Sequence, residues 1–198
     1  MAGFELVAVI LVLVVAASIL WSTVRYGMPP MPSLGRARRA MIDMVEDPGQ
    51  AQVVDLGSGW GNLAVDFARR FPKARVEGYE VSWFPWLYSL AVKRILGLNN
   101  LSFYRRDFRH AVVEENAVVI CYLAREGMQA VRELLERAAP SQVTVISHHF
   151  SLPGSQPDAV VELTDLYRTP IYRYHLRWSR NNIEEEADHG SESKPVSD

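Results

Sequence analysis

Cysteine is almost absent from this chain, and Cys121 is the single one among 198 residues. One cysteine excludes an internal disulfide and a metal site built from several thiolates, and we expect no metal. Cys121 lies in the apolar run AVVICYL, which predicts a buried strand residue and not a nucleophile.

An excess of charge of one sign is also missing. The formal net charge is −2, from 21 basic and 23 acidic residues. A balance this close to neutral gives no general attraction to nucleic acid or to acidic surfaces. We therefore expect no nucleic acid partner.

Polar residues are scarce at the N-terminus. The run FELVAVILVLVVAASILW has only Glu5 and Ser18 as polar residues, and about 16 of its residues form a continuous apolar stretch, close to the length that spans a bilayer. It predicts a transmembrane anchor over residues 4–24. A cleaved signal peptide would need basic residues before the run, where Glu5 stands instead, although the AAS sequence within it resembles a cleavage site. A buried soluble helix would show a polar face, and this run has none.

Basic residues cluster directly after this run, at Arg25, Arg36, Arg38 and Arg39. Lysine and arginine concentrate on the cytoplasmic side of membrane segments. The cluster predicts a single-pass membrane protein whose folded domain faces the cytoplasm.

The rest of the chain divides into three parts. Residues 25–33 form a linker whose three prolines disfavour helix. Strand-like and helix-like runs alternate over residues 34–178, which predicts an α/β domain with a mostly parallel sheet and helices on both faces. Its last two strand-like runs, AVVELTDLY and IYRYHLRW, predict an antiparallel pair. Residues 179–198 are polar and acidic, and we predict a disordered tail.

A glycine-rich turn follows the first predicted strand in VVDLGSGWGN. Gly57, Gly59 and Gly61, with Ser58 between them, allow a tight turn and the close approach of a ligand to the backbone. Asn62 stands where a dinucleotide-binding turn has its third glycine or alanine. Asp55 would repel a pyrophosphate, but it can hold an ammonium group such as that of S-adenosylmethionine. A plain tight turn with Asp55 as a helix cap is the alternative.

Acidic residues also close the next two predicted strands. Glu80 ends VEGYE, where a carboxylate can accept hydrogen bonds from both hydroxyls of a ribose, as in dinucleotide folds. Asp107 ends FYRRD and can accept from the exocyclic amine of adenine, with Phe108 against the ring. A solvated strand end for Glu80 and a loop cap for Asp107 are the alternatives.

Together these residues resemble the class I S-adenosylmethionine-dependent methyltransferases. VVDLGSGWG is similar to their first motif, and Glu80 and Asp107 are similar to the acidic residues after their second and third strands. The resemblance covers roughly residues 33–178. It implies a Rossmann-like sheet of seven strands, mostly parallel with an antiparallel C-terminal strand, preceded here by one transmembrane helix.

A narrower resemblance is to the membrane-anchored protein-lysine methyltransferases of mitochondria, which modify ATP synthase subunit c or the adenine nucleotide carrier. Pro29, Pro32 and Ser33 fit the P-x-x-P-[ST] segment before the core of that family. Tyr88 and Ser89 fit its later YS pair. Ser82-Trp83-Phe84 replaces its Asn-Pro-Trp. The resemblance implies a protein-lysine substrate and a contact between substrate and Pro32 or Ser33.

Candidates for the acceptor site lie where ligands bind in open α/β sheets, at the carboxyl ends of the strands. Tyr122 follows the fourth strand and is a candidate to orient an amine. His148 or His149, at the end of the fifth strand, is a candidate base. Trp83 belongs to the cluster WFPWLY, which predicts an aromatic cage for a substrate cation, a contact with the membrane interface, or core packing.

The expected function is therefore transfer of a methyl group from S-adenosylmethionine to a lysine of a protein, with a protein embedded in the membrane as the expected substrate. Two alternatives stay open. One is methylation of a small or lipidic acceptor such as a quinone. The other is a non-catalytic S-adenosylmethionine-binding protein, favoured by the absence of an Asn/Asp-Pro-Pro-Tyr segment after the fourth strand, where the chain reads CYLAREG.

Overall fold

The computed structural model describes residues 4–7, 9–10, 13, 35–165 and 167–178. Within these residues, no helix combines the length and apolar character needed to cross a bilayer. Most of the predicted anchor lies outside the described residues, as do the linker with Pro32 and Ser33 and the predicted tail. The described part of the N-terminal run is helical and exposed, namely Phe4, Leu6, Val7, Val9, Ile10 and Leu13.

Seven strands form one mixed sheet: β1 Gln52–Leu56, β2 Arg75–Tyr79, β3 Leu101–Tyr104, β4 Ala117–Cys121, β5 Gln142–His148, β6 Ala159–Glu162 and β7 Pro170–Arg177. Their order across the sheet is β3-β2-β1-β4-β5-β7-β6. Strands β1 to β5 are parallel, and β7 lies antiparallel between β5 and β6. The predicted mostly parallel sheet with an antiparallel C-terminal strand is confirmed.

Four α-helices and one short 3-10 helix connect the strands: α1 Gly35–Asp43, α2 Asn62–Arg70, α3 Trp83–Leu96, the 3-10 helix Phe108–His110 and α4 Arg125–Ala138. Helix α4 places its apolar residues at three- and four-residue spacing, which buries one side of the helix on the sheet. Helix α3 ends at Gly97, whose φ of 63° suits a left-handed cap.

Two hydrophobic clusters cover the two faces of the sheet. The first face carries α1, α2 and α3, with Met41, Phe67 and Ile146 in its cluster. The second face carries α4, with Met128 and Tyr174 in its cluster. Strands β1 and β4 are buried throughout, as is usual for central parallel strands. Cys121 is fully buried among the residues of the second face, which confirms its prediction as a buried strand residue.

Several predicted elements extend beyond the observed ones. The strands end at Tyr104, Cys121, His148 and Glu162, where the sequence pattern predicts three, two, two and five further strand residues. Local hydrogen bonds explain the early ends, since the side chain of Asp107 binds the amide of Arg109 and that of Asp165 binds the amide of Thr169. The run LGRARRAMIDMVED predicts a helix that continues to Asp47, whereas α1 ends earlier, at Asp43. The carboxyl ends of β1, β2, β4 and β5 remain adjacent at one edge of the sheet, where the predicted site residues lie.

Candidate functional site

A row of residues across the sheet sets the level of the site. Asp55 on β1 is beside Gly78 of β2 and Ile120 of β4, and Ile120 is beside Ile146 of β5. Residues two apart on a strand share a face, so Tyr122 and His148 follow Ile120 and Ile146 on the first face, closer to the carboxyl edge. The fold thus brings Asp55, Tyr122 and His148 to one side of the sheet.

Asp55 is a buried carboxylate with an incomplete set of partners. Its side chain is 2% exposed and accepts a hydrogen bond from the backbone N–H of Ala64 in the first turn of α2. Its second oxygen, Oδ2, has no hydrogen-bond partner among the described residues. Burial raises the pKa of Asp55 to about 7 against the effect of the Ala64 bond, and the negative charge of Glu80 raises it further. Asp55 therefore caps α2 with one oxygen, as the alternative predicts. Its other oxygen is left to bind a cationic ligand.

The glycine turn has the backbone that its sequence predicts. Gly57, Gly59 and Gly61 have φ values of 78°, 53° and 76°, which favour glycine. A Cβ at Gly61 would lie 2.6 Å from Phe103 Cζ and 2.7 Å from Ser89 Cβ. The side-chain volume that glycine leaves free at Gly61 is therefore filled by the protein itself.

Phe103 and Leu123 are two residues of this region that sequence reasoning missed. Phe103 comes from β3 and also lies where a Cβ at Gly78 would be, 2.6 Å from its Cδ1. Leu123 lies over Gly57, whose Cβ would be 2.7 Å from its Cδ2. Gly78, within the predicted strand VEGYE, signals that another residue approaches the strand backbone closely. A glycine does not identify which residue does so.

Glu80 fixes the turn to the start of α3. One carboxylate oxygen accepts from the amide of Gly59 at 2.9 Å, and the other accepts from the amide of Ser82 at 2.7 Å. Each oxygen of a carboxylate has two acceptor positions, so capacity remains for the two hydroxyls of a ribose. Ser58, in the glycine turn, has a buried hydroxyl that lacks a hydrogen-bond partner among the described residues.

Asp107 caps the 3-10 helix. One of its oxygens accepts from the amide of Arg109 at 2.9 Å, and the other pairs with the guanidinium of the same residue at 2.9 Å. Phe108 is buried in the cluster of the second face, with the Arg109 guanidinium 5.5 Å from the centre of its ring. The loop-cap alternative describes what Asp107 does here, and its contact with adenine stays a prediction.

His148 is buried, and neither of its ring nitrogens has a hydrogen-bond partner within the part of the chain that the structure describes. Its ring centre lies 4.4 Å from that of Tyr122. Burial lowers the pKa of His148 to about 4, the neighbouring His149 lowers it further, and Asp165 opposes the shift. His149 has a left-handed φ of 74° and donates its amide to the carbonyl of Pro170, so the backbone turns away directly after His148. Next to Tyr122 there is thus a neutral imidazole whose polar atoms need a partner.

Trp83 already contacts a cation of its own chain. The guanidinium carbon of Arg105 lies 3.9 Å from the centre of the Trp83 ring, and Trp86 meets it edge-on. Trp86 packs on the cluster of the first face and donates its indole N–H to the carbonyl of Phe103. Core packing therefore describes Trp86, whereas Trp83 stays about half exposed.

Comparison with known proteins agrees with this geometry. The family model described as the ANTKMT methyltransferase domain matches residues 55–159, from Asp55 through the fifth strand to the start of β6. A protein-lysine N-methyltransferase of Saccharolobus islandicus is 24% identical over 139 residues, which are 70% of this chain and 86% of that protein. The adenine nucleotide translocase lysine N-methyltransferase of Mus musculus is 29% identical over 138 residues, 66% of this chain and 58% of that protein. The chain therefore spans less than two thirds of the mouse protein.

A solved structure shares the fold of this chain. The RNA methyltransferase from Salinibacter ruber, in complex with S-adenosyl-L-homocysteine, has a TM-score of 0.67 and 25% sequence identity. The match covers 74% of this chain and 94% of that one. The matches therefore agree on an α/β methyltransferase fold, on S-adenosylmethionine as the cofactor and on a methyltransferase family.

Proposed function

This chain belongs to the family of the ANTKMT methyltransferase domain, and we propose that it methylates lysine side chains of a protein. S-adenosylmethionine is its cofactor and supplies an activated methyl group on a sulfonium. The observation that carries the lysine assignment is the buried His148, unpartnered at both nitrogens and in contact with Tyr122. The printed names of the relatives from Saccharolobus islandicus and Mus musculus support the same acceptor.

The residues of the glycine turn fit the cofactor. We assign Asp55 to the ammonium group, because its Oδ2 is buried without a partner and no cationic side chain in the described ranges pairs with it. Ser58, Gly57, Gly59 and Gly61 line the turn. Glu80 is assigned to the ribose hydroxyls through the acceptor positions that Gly59 and Ser82 leave free. Asp107 and Phe108 are assigned to adenine.

Tyr122 and His148 are assigned to the acceptor amine. A lysine must lose a proton before its nitrogen can accept a methyl group, and its ordinary pKa is about 10.4. A pKa of about 4 keeps His148 neutral at physiological pH, so it is a weak base but a ready hydrogen-bond acceptor for an amine N–H. We propose that His148 orients the amine and that Tyr122 contacts the amine from the opposite side. Apolar residues around the amine would lower the pKa of the lysine.

A protein acceptor is favoured over a nucleobase even though the Salinibacter ruber relative is an RNA methyltransferase. After β4 the chain reads Tyr122-Leu123-Ala124-Arg125, without the Asn/Asp-Pro-Pro-Tyr segment of many enzymes that methylate planar amines. The near-neutral net charge of −2 also gives little attraction to RNA.

We further propose that residues 4–24 anchor the domain in a membrane, with residues 25–33 as linker, residues 34–178 as the catalytic domain on the cytoplasmic side and residues 179–198 as a disordered tail. The support is the apolar N-terminal run and the basic cluster that follows it. An anchor raises the effective concentration of a domain near membrane-embedded proteins, which makes these the favoured substrates, with Pro32, Ser33 and Trp83 as candidate contacts.

One labelling experiment tests the acceptor. Membranes from cells that lack this protein are incubated with the full chain and S-adenosylmethionine carrying a radioactive methyl group. We expect a labelled protein band, with methyl-lysine identified by mass spectrometry, and no label with His148→Phe. Label in the lipid extract alone would identify a small or lipidic acceptor instead. Cofactor binding without any label would favour a non-catalytic binding protein.

A further inference from the structure

Helix α3 exposes an unusual amount of apolar surface. It packs beside the edge strand β3, with Trp86, Leu90 and Val92 against the cluster of the first face. On its other side the large apolar side chains are well exposed: Trp83 53%, Leu87 48%, Tyr88 49%, Ile95 81% and Leu96 43%. A surface helix of a globular domain normally turns a polar face to solvent, and α3 does not.

The exposed residues form a continuous stripe. Leu87, Ala91 and Ile95 are four positions apart and Tyr88 is three positions before Ala91, so they lie on one side of the helix, and all four are exposed. This stripe runs from the second turn of α3 to its last turn. We call it the α3 stripe.

The charges on helix α3 are of one sign. Helix α3 contains no Asp or Glu, although the chain has 23 acidic residues. Its last turn carries Lys93 and Arg94, and Arg105 is stacked on Trp83 at its first turn. An apolar stripe with aromatic residues and flanking cations is the pattern of a helix that lies in the plane of an anionic membrane surface.

We infer that the α3 stripe rests on an anionic lipid bilayer. Leu87 and Ile95 then enter the boundary between headgroups and acyl chains. Trp83 and Tyr88 lie at the headgroup level, which suits their amphipathic rings. Arg94 and Arg105 meet the lipid phosphates. The inference rests on the proposed membrane location of the protein and not on the identity of the methyl acceptor.

Such a contact would orient the site as well as localise it. Helix α3 begins three residues after Glu80, and the carboxylate of Glu80 holds the amide of Ser82, directly before the helix. The α3 stripe is therefore rigidly connected to the glycine turn through Glu80. The proposed anchor sets the distance of the domain from the bilayer, whereas the α3 stripe also fixes the direction in which the carboxyl edge of the sheet faces.

Site-directed spin labels test this contact in the full chain. Cys121 is fully buried, so a cysteine introduced by Ile95→Cys is the reactive one, and Glu133→Cys on the exposed side of α4 is the matched control. The labelled chains are reconstituted with vesicles of phosphatidylcholine and phosphatidylglycerol. We expect the label at position 95 to collide with lipid-soluble oxygen and the label at 133 to collide with an aqueous nickel chelate.

Equal access of the nickel chelate to both labels would overturn the inference. So would a label at 95 that is shielded from both reagents with and without vesicles, because the stripe would then be covered by another segment of the chain or by a second copy. If the chain does not associate with the vesicles at all, the proposed membrane location fails as well, which separates the two failures.

A functional variant completes the test. Leu87→Glu combined with Ile95→Glu should lower methyl transfer to membrane-embedded acceptors at least about tenfold, because the orientation at the bilayer is lost. The affinity for S-adenosylmethionine should stay unchanged, as should the vesicle binding contributed by the N-terminal segment. Unchanged transfer with normal cofactor binding would overturn the inference.

Discussion

The two halves of the sheet edge differ in how much of their hydrogen bonding the protein itself satisfies. On the β1–β3 side, Glu80 accepts from two backbone amides, Asp107 binds Arg109 twice, and Asp55 caps α2 with one of its oxygens. On the β4–β5 side, the ring of His148 is buried and makes no hydrogen bond to any described residue. The carboxylates therefore build the fold as well as the cofactor site, whereas the imidazole contributes no hydrogen bond to the fold.

This difference makes a general prediction about substitutions. Changes on the β1–β3 side should alter stability and cofactor affinity together. Changes on the β4–β5 side should alter turnover and leave both of these nearly intact. The variants below test that separation, from the largest expected effect to the smallest.

Glu80→Ala should have the largest effect. It leaves the amides of Gly59 and Ser82 without an acceptor, and a buried unsatisfied group costs about 1–3 kcal/mol, so we expect a loss of about 2–6 kcal/mol in the free energy of unfolding. Binding of S-adenosylmethionine should be lost with it. Urea denaturation and calorimetry measure the two effects. Glu133→Ala, an exposed control, should change neither, and equal stability of the two variants would contradict the role of Glu80 in the turn.

Gly61→Ala should cost about 2–4 kcal/mol of unfolding free energy, because a left-handed backbone and a close contact with Phe103 add together. Gly97→Ala is the matched control, since its φ of 63° is similar but no heavy atom lies within 4 Å of its Cβ position. We expect about 1–2 kcal/mol there, from the backbone alone. If both variants lose the same stability, the packing role of Gly61 is wrong.

His148→Phe should separate the two sides most clearly. The phenyl ring keeps the packing on Tyr122 and removes both unpartnered nitrogens, so the free energy of unfolding should stay equal or rise. Turnover should fall about 100-fold, which is the typical cost of misplacing a reacting group by about 1 Å. Single-turnover transfer and cofactor calorimetry on one preparation measure both. A variant with normal turnover would exclude His148 from the acceptor site.

Asp55→Asn should alter a pH dependence. The ionised form of Asp55 binds an ammonium, so with a pKa of about 7 the affinity of the wild type for S-adenosylhomocysteine should fall about tenfold for each pH unit below 7. The variant should bind more weakly at pH 8 and show no such slope. Calorimetry between pH 5.5 and 8, roughly one unit or more on either side of that pKa, measures it. A slope that persists in the variant would assign the titration to another group.

Stability should change in the opposite sense. The pKa of Asp55 is raised in the folded state, from 3.8 to about 7, so between these values the folded chain keeps a proton that the unfolded chain has released. The free energy of unfolding should therefore fall as pH rises through this window and level off above it. Asp55→Asn should remove this decline, as measured by urea denaturation at matched pH values.

Much of the candidate cofactor site on the β1–β3 side could be predicted from sequence, because local sequence patterns encode it. The glycine spacing requires a left-handed backbone, and acidic residues follow consecutive strands at recognisable positions. The distribution of hydrogen bonds could not be predicted. Asp107 binds Arg109, two residues away, and Glu80 binds the amides of Gly59 and Ser82. These bonds depend on where the strands end, which the sequence pattern does not show.

Long-range packing was also beyond the sequence pattern. Phe103 fills the space at Gly61 and Gly78, and nothing in its own neighbourhood marks it for that place. The ends of β3 and β5 were predicted too far along the chain for a related reason. Aromatic residues follow β5, at His149 and Phe150, whereas charged residues follow β3, and local turns and caps take the backbone out of the sheet at both places.

The position of Phe103 has a consequence for local unfolding. The residue comes from β3, which is an edge strand paired only with β2 among the described strands. Edge strands open at lower free energy than central ones, and opening of β3 would withdraw the ring that supports Gly61. The lifetime of the cofactor turn is thus tied to the fraying of a strand that need not touch the cofactor. We expect bound cofactor to slow amide hydrogen exchange in β3, so that the outermost strand reports on occupancy at the centre of the sheet.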